Sequence, residues 1–258
     1  MLIDVHERKL AEVSLKQAVA QRDEFISIAS HELKTPITAL KLQLEMTQRR
    51  LRQKTENPSL ESNVEKTIAT SNKLISRLTE LVEDLLDVSR IQAGRLTLTF
   101  QEFSIDELVH DIVERFADQF AKVNSSIQVH VKANLIVKWD SSRIEQVLVN
   151  LLTNAIKYAP NQPIEIFVTG TSALVTLIVQ DKGPGIPVDR HSKIFERFER
   201  ASASRNISGL GLGLFIVSQI VEGHHGSIRV ESALGEGSKF IITLPVDPTH
   251  HQGPELQV

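Results

Sequence analysis

The chain has 258 residues, with 29 Lys and Arg against 32 Asp and Glu, a formal charge of -3, 41% hydrophobic residues and no cysteine. That length suffices for two domains with cores of their own, and the missing thiols exclude a disulfide framework, a cysteine zinc site and a cysteine nucleophile. Without a basic surplus there is no counterion release to drive binding to a phosphate backbone, which excludes nucleic acid as the main partner. The longest apolar runs, Ile144 to Leu152 and Ala173 to Val179, are short and interrupted. Neither spans a bilayer, and Asp4, Glu7, Arg8, Lys9 and Glu12 break up any N-terminal signal core. The expectation is a soluble, cytoplasmic chain with no membrane segment.

Residues 7 to 92 hold only Pro36 and Pro58 and no glycine before Gly94, the punctuation of a helical hairpin. In the first arm Ile26, Ala29, Leu33, Ile37, Leu40, Leu44 and Leu51 follow steps of three, four and seven, a seam like that of a coiled coil. The second arm carries Val64, Ile68, Ile75, Leu78, Val82 and Leu85, with Leu74, Leu81 and Val88 as a parallel stripe. One partner helix cannot cover so wide a face, which predicts a homodimer closing a four-helix bundle. The turn is expected between Gln53 and Ser59, where Asn57-Pro58-Ser59 stops one helix and caps the next. Leu10, Val13 and Ala18 make residues 1–20 read as the end of an incoming coiled coil.

After Gly94 the period changes to alternation, beginning with Leu96, Leu98 and Phe100. A domain boundary is placed there. The expected elements are strand 96–102, helix 105–122, strands 127–132 and 135–139, helix 141–158, strands 164–170 and 173–180, helix 211–223, and strands 227–232 and 239–244. They suggest one mixed sheet with helices on one face. The tail after Pro245 shows no periodicity and is expected to fray. The domains are thus 1–20 as an N-terminal signalling coiled coil or linker, 21–93 as helical hairpin, 94–247 as an α/β domain, and 248–258 as a disordered tail.

Chemistry concentrates in five segments. His31 lies about 160° around the helix from both Ala29 and Leu33, so it faces solvent while they face the seam. A neutral imidazole attacks phosphorus if a carboxylate takes its ring proton, and Glu32 is adjacent; the alternative is a solvated His-Glu pair. Thr35 lies one turn on, where its hydroxyl can orient a water, and Pro36 should bend the helix into a hinge. On helix 141–158, Asn150, Asn154 and Lys157 share a face, as hard amide ligands for Mg2+ and a charge for phosphate, or simply as surface polar residues. Asp181-Lys182-Gly183-Pro184-Gly185-Ile186 follows an apolar strand: a carboxylate there can accept the adenine amine, and the motif also occurs as an ordinary tight turn. Gly209-Leu210-Gly211-Leu212-Gly213 opens a helix whose amides can cradle phosphate. Between the glycine sets, Arg197 and Arg200 either reach a triphosphate or pair with Glu196 and Glu199, and Phe195 and Phe198 anchor a flexible lid.

Taken in order, the segments resemble the two-component sensor histidine kinases over roughly residues 20–247. Ser30 to Pro36 is similar to the family's phosphoacceptor box, Asn150 to Tyr158 to its asparagine box, and Asp181 to Ile186 to its first glycine box. Ile194 to Phe198 resembles its phenylalanine box and Gly209 to Leu214 its second glycine box. The resemblance implies a helical dimerisation and phosphotransfer domain followed by a Bergerat-type ATP-binding α/β sandwich. It implies His31 as the phosphorylated residue, Glu32 as proton acceptor, and Thr35 as the residue that positions water for dephosphorylation. It further implies Asn154 as Mg2+ ligand supported by Asn150, Lys157 and Tyr158 on phosphate or ribose, and Asp181 on adenine. Gly183, Gly185, Ile186, Arg197, Phe198, Gly209, Leu210, Gly211, Leu212 and Gly213 would complete the ATP site.

The implied partners are a response-regulator receiver domain, a second copy of the chain, and an upstream sensor of the PAS kind, suggested by Ile3 to Glu12. Gly223-His224-His225-Gly226 departs from the family's His-Gly-Gly form and puts one turn in doubt. Two rivals remain: an ATPase of the same sandwich fold, which would lack the His31 hairpin, and a dimeric scaffold or phosphatase acting through Glu32 and Thr35.

Overall fold

A computed structural model describes residues 2–52, 60–131, 135–199 and 210–250. The chain forms two compact units, Met1–Leu86 and Asp87–Val258. The first is the hairpin, built from α1, Leu2–Arg52, and most of α2, Leu60–Gln92. The helix α1 runs unbroken from Leu2 past residue 20. It also continues through Pro36, which is buried and removes only one rung of the ladder. The predicted turn at Gln53 to Ser59 lies outside the described residues.

Within the hairpin the two apolar stripes of α2 have different fates. Leu81 is 5% exposed, whereas Ile68, Ile75 and Val82, spaced by seven, are 55%, 51% and 41% exposed. On α1, Ile26, Ile37 and Leu44 are likewise exposed while Ala29 is buried. A single hairpin thus covers one stripe and leaves a heptad seam bare. Polar ties also cross the hairpin: Gln43 Nε2 donates to the Thr67 carbonyl at 3.3 Å, and Thr47 Oγ1 to Thr67 Oγ1 at 3.3 Å. Among the described residues no helix is long and apolar enough to cross a membrane.

The second unit is an α/β sandwich. Its sheet has the order β2-β4-β5-β7-β6, comprising Ile127–Val131, Ile164–Gly170, Leu174–Asp181, Gly237–Pro245 and Ser227–Ala233. Only β2 and β4 run parallel; the other neighbours are antiparallel. Against it pack α3, Ile105–Lys122, α4, Ser141–Tyr158, and α5, Gly213–Gly223. Both longer helices start where a side chain caps them, Ser104 accepting from the Glu107 amide and Asp140 from the Arg143 amide. On α3, Ile105, Val109, Ile112, Phe116 and Phe120 form the buried stripe, each stabilising the fold by about 1.5–3 kcal/mol when fully removed from water.

The expectation of a single sheet is corrected. Strand β1, Gln101–Ser104, pairs only with β3, Ile136–Trp139, in a separate two-stranded sheet. Residues 96–100 alternate without joining a ladder: Leu96 and Leu98 cover the end of α5 at Gly223, and the Thr99 amide donates to Asp140 Oδ2 at 2.8 Å. The expected fraying after Pro245 is corrected too, up to His250. The Val246 amide donates to the Ala173 carbonyl at 2.9 Å, Lys138 Nζ bonds Asp247 at 3.3 Å, and Pro248–His250 forms a 3-10 turn.

Candidate functional site

In the hairpin, His31 is exposed and Glu32 half-buried, as the helical geometry requires when Ala29 is buried. Glu32 does not stand alone: Arg77 Nη2 on α2 lies 3.7 Å from its carboxylate. The Thr35 hydroxyl donates to the His31 carbonyl at 3.1 Å, which leaves its oxygen lone pairs at the exposed surface.

In the sandwich, strand alternation explains Asp181. Val175, Leu177 and Val179 point inward along β5 and are 3% exposed or less; Asp181 takes the next inward seat. Its carboxylate is therefore placed where a core side chain would be, and it is only 8% exposed. Burial raises its pKa above the ordinary carboxylate value, against the opposing hydrogen bonds from the backbone amides of Gly183 and Ser238. The Gly183 bond is 2.8 Å long.

The other motifs close around α4. A Cβ at Gly183 would stand 3.1 Å from the Tyr158 carbonyl, so the loop after Asp181 abuts the end of α4. A Cβ at Gly213 would stand 2.7 Å from Asn150 Oδ1, so the start of α5 abuts its middle. Asn150 donates Nδ2 to the Gln146 carbonyl at 3.1 Å, turning its oxygen toward Gly213. Asn154 is half-buried on the same helix and Lys157 exposed. Gly185 lies against the backbone of Ala233, and Ile186 is buried with its carbonyl accepting from His191 Nε2 at 3.0 Å.

Phe198, at a left-handed φ of 65°, donates its amide to the Gly211 carbonyl at 3.0 Å, which joins the phenylalanine segment to the second glycine set. Leu210 and Leu212 are buried. Along the arginine run, Glu199 pairs with Arg190 at 3.0 Å, and the Arg197 guanidinium lies 5.3 Å from the Phe215 ring centroid. Arg200 and Gly209 lie outside the described residues. Close approaches thus pair Asn150 with Gly213, Gly183 with both Tyr158 and Asp181, and Phe198 with Gly211.

Sequence reading missed the supports. Asp87 is 6% exposed and accepts from Arg143 Nη1 at 2.9 Å and Gln146 Nε2 at 2.7 Å, anchoring the first turns of α4. His224 is fully buried; it accepts the Asp140 amide on Nε2 at 3.1 Å and donates from Nδ1 to the Ile220 carbonyl at 2.8 Å. The doubtful turn is made by His225 itself, which adopts a φ of 57°.

In the sandwich, α4 thus abuts both the loop that follows the inward carboxylate of Asp181 and the glycine-opened start of α5, on a chain that also carries a solvent-facing histidine. The comparisons agree. The model of the histidine kinase-, DNA gyrase B- and HSP90-like ATPase matches residues 139–248, and that of the His Kinase A phospho-acceptor domain residues 21–94. The chain is 33% identical to the catalytic domain of histidine kinase ThkA, covering 98% of that chain and 58% of its own at a TM-score of 0.53. Against Acinetobacter baumannii histidine kinase AdeS the identity is 27% and the TM-score 0.64, covering 84% of this chain and 98% of that one.

The chain belongs to the sensor histidine kinases, and holds their phosphoacceptor hairpin and ATP-binding domain. It is similar to the adaptive-response sensory kinase SasA of Thermosynechococcus vestitus, at 32% identity over 236 residues and 90% of this chain. It resembles sensor histidine kinase RppB of Synechocystis sp. at 31% identity over 92% of its length. It spans 62% and 52% of those two proteins.

Proposed function

We propose that the chain autophosphorylates His31 from Mg-ATP and passes the phosphoryl group to an aspartate of a response regulator. The observation that carries this reading is the presence, on one chain, of an exposed histidine beside a half-buried carboxylate and a domain that matches the histidine kinase-like ATPase family. The imidazole would attack the γ-phosphoryl group, with Glu32 receiving the ring proton. Residues 21–93 would act as the phosphotransfer domain and residues 94–247 as the ATP domain. A second copy would cover the bare seam of Ile68, Ile75 and Val82 to complete a four-helix bundle.

The amide oxygens around α4 suit Mg2+, a hard cation that keeps waters and shares phosphate oxygens. By the family resemblance Asn154 would be the protein ligand, with Asn150 in support, and the cation would stabilise charge on the phosphates. Lys157 and Tyr158 would meet phosphate or ribose, and Asp181 the adenine amine. Partnership with a response regulator is supported by the likeness to ThkA in its complex with response regulator protein TrrA, at 27% identity and a TM-score of 0.63. An upstream PAS sensor and a water-positioning role for Thr35 in regulator dephosphorylation complete the reading.

The test is incubation with radiolabelled ATP and Mg2+. Acid-labile, alkali-stable label that disappears in His31→Gln is expected. Label that persists in His31→Gln would refute the assignment. Thr35→Ala should keep the label and slow regulator dephosphorylation.

A further inference from the structure

The hairpin between β6 and β7 meets the loop after Asp181 through a serine that no part of the kinase reading uses. Register pairs Asp181 with Ser238 across β5 and β7, and Ser232 with Ser238 across β6 and β7. Directly paired residues project from the same face, so the three side chains form a row. The Ser232 hydroxyl accepts the Ile186 amide at 2.8 Å, donates to the Gly237 carbonyl at 2.6 Å, and lies 3.2 Å from Ser238 Oγ. The Gly235 amide adds a tie to the Pro184 carbonyl at 2.8 Å.

Hydrogen-bond arithmetic fixes the direction of each proton. A serine hydroxyl has one proton and two lone pairs. The Gly237 carbonyl can only accept, so it takes the Ser232 proton. The Ile186 amide can only donate, so it takes one lone pair. The remaining Ser232 lone pair then accepts from Ser238, whose own lone pairs stay available beside the Asp181 carboxylate. The Ser238 amide is already bonded to that carboxylate.

We propose that Ser232 is a positioning residue for nucleobase selection, acting through Ile186 and Ser238. It holds the loop Asp181 to Ile186 against the β6–β7 hairpin and makes the Ser238 hydroxyl an acceptor. Two acceptors side by side favour a base edge that offers amine hydrogens, as adenine does, over the C6 oxygen of guanine, which would face both unpaired. The proposal rests on Asp181 being the adenine contact.

The experiment measures ADP and GDP binding calorimetrically on the full chain, with Trp139 fluorescence melts confirming that each variant is folded. Ser232→Ala should weaken ADP about tenfold, a size set by one or two lost neutral hydrogen bonds, and lower the ADP-to-GDP preference. Ser232→Thr keeps the hydroxyl and should bind ADP within about twofold of the parent. If the alanine chain does not fold, Ser232→Cys keeps the shape with a weak donor and acceptor, and the same losses are expected. Asp181→Asn separates the two layers. If it leaves ADP affinity intact, the adenine reading fails and the proposal fails with it. If Asp181→Asn weakens ADP while Ser232→Ala or Ser232→Cys keeps parental affinity and preference, the role of Ser232 alone is overturned. A threonine variant as weak as the alanine one overturns it as well.

Discussion

Replacing His224 tests how the helix that carries the asparagines is held. The imidazole is fully buried, edge-on to Phe100 at 5.4 Å, and joins the N-cap of α4 to the end of α5. In His224→Leu the Asp140 amide loses its acceptor, a cost of about 1–3 kcal/mol for a buried donor, and the shape change adds about 1 kcal/mol. The Ile220 carbonyl keeps the backbone amide of residue 224 at 3.1 Å, so no second orphan is created. The expected loss is about 2–4 kcal/mol in urea unfolding, followed by the fluorescence of the single tryptophan, Trp139, whose ring is buried.

The same residue predicts a pH dependence. Burial lowers the His224 pKa, with His225 adding to the effect, while the Ile220 carbonyl and the Asp140 carboxylate oppose it. The folded form therefore stays neutral where the unfolded histidine, with an ordinary value of about 6.5, takes up a proton. Unfolding binds that proton, so stability falls as pH drops below about 6.5, by at most about 1.4 kcal/mol per pH unit, until the folded pKa is passed. Asp140 acts in a different window. Burial opposes its ionisation, but the bonds from Thr99, Ser142 and Arg143 and the charge of His224 outweigh that and lower its pKa, so its contribution is lost only in stronger acid. Comparing unfolding at pH 7.5 and 5.5, the parent should lose more stability than His224→Leu. Equal losses, or a leucine variant within about 0.5 kcal/mol of the parent at pH 7.5, would refute the reasoning.

Asp181→Asn should raise the thermal midpoint of the ligand-free chain, because it removes a carboxylate whose pKa burial has raised, and should weaken ADP at least about tenfold. In the parent, ADP affinity should decline as pH falls toward that raised pKa, since the protonated acid no longer accepts the amine; a flat profile by calorimetry argues against the contact. His225→Gly relieves a left-handed histidine worth about 1 kcal/mol, partly offset by glycine entropy, and should raise the melting midpoint by about 2 °C or less. Scanning calorimetry showing a fall would contradict this.

Much of the sandwich was legible because its signals are local. Helices over 105–122 and 141–158 follow from an apolar period between side-chain caps, and the structure returns those bounds. The two-sheet arrangement was not, because the partner of β1 is β3, more than thirty residues away, and nothing in either strand names the other. The alternation at Leu96, Leu98 and Phe100 reports burial against α5 and His224, which a period of two cannot distinguish from a ladder. In the site, Asp181 and the glycines were visible through spacing, while Ser232, Asp87 and His224 act through partners 46, 56 and 84 residues distant. Their roles exist only once the chain has folded.

The inward seat of Asp181 has a broader consequence. The row Val175, Leu177, Val179, Asp181 runs from core to cleft without a break, so the nucleobase would be the last layer of the domain interior. On this reading the ligand behaves as a removable core side chain. Each decade of ADP above its Kd then adds about 1.4 kcal/mol to folding, so saturating nucleotide would offset part of the cost of a destabilising substitution deep in β5. Nucleotide supply and the lifetime of the folded kinase become one coupled quantity.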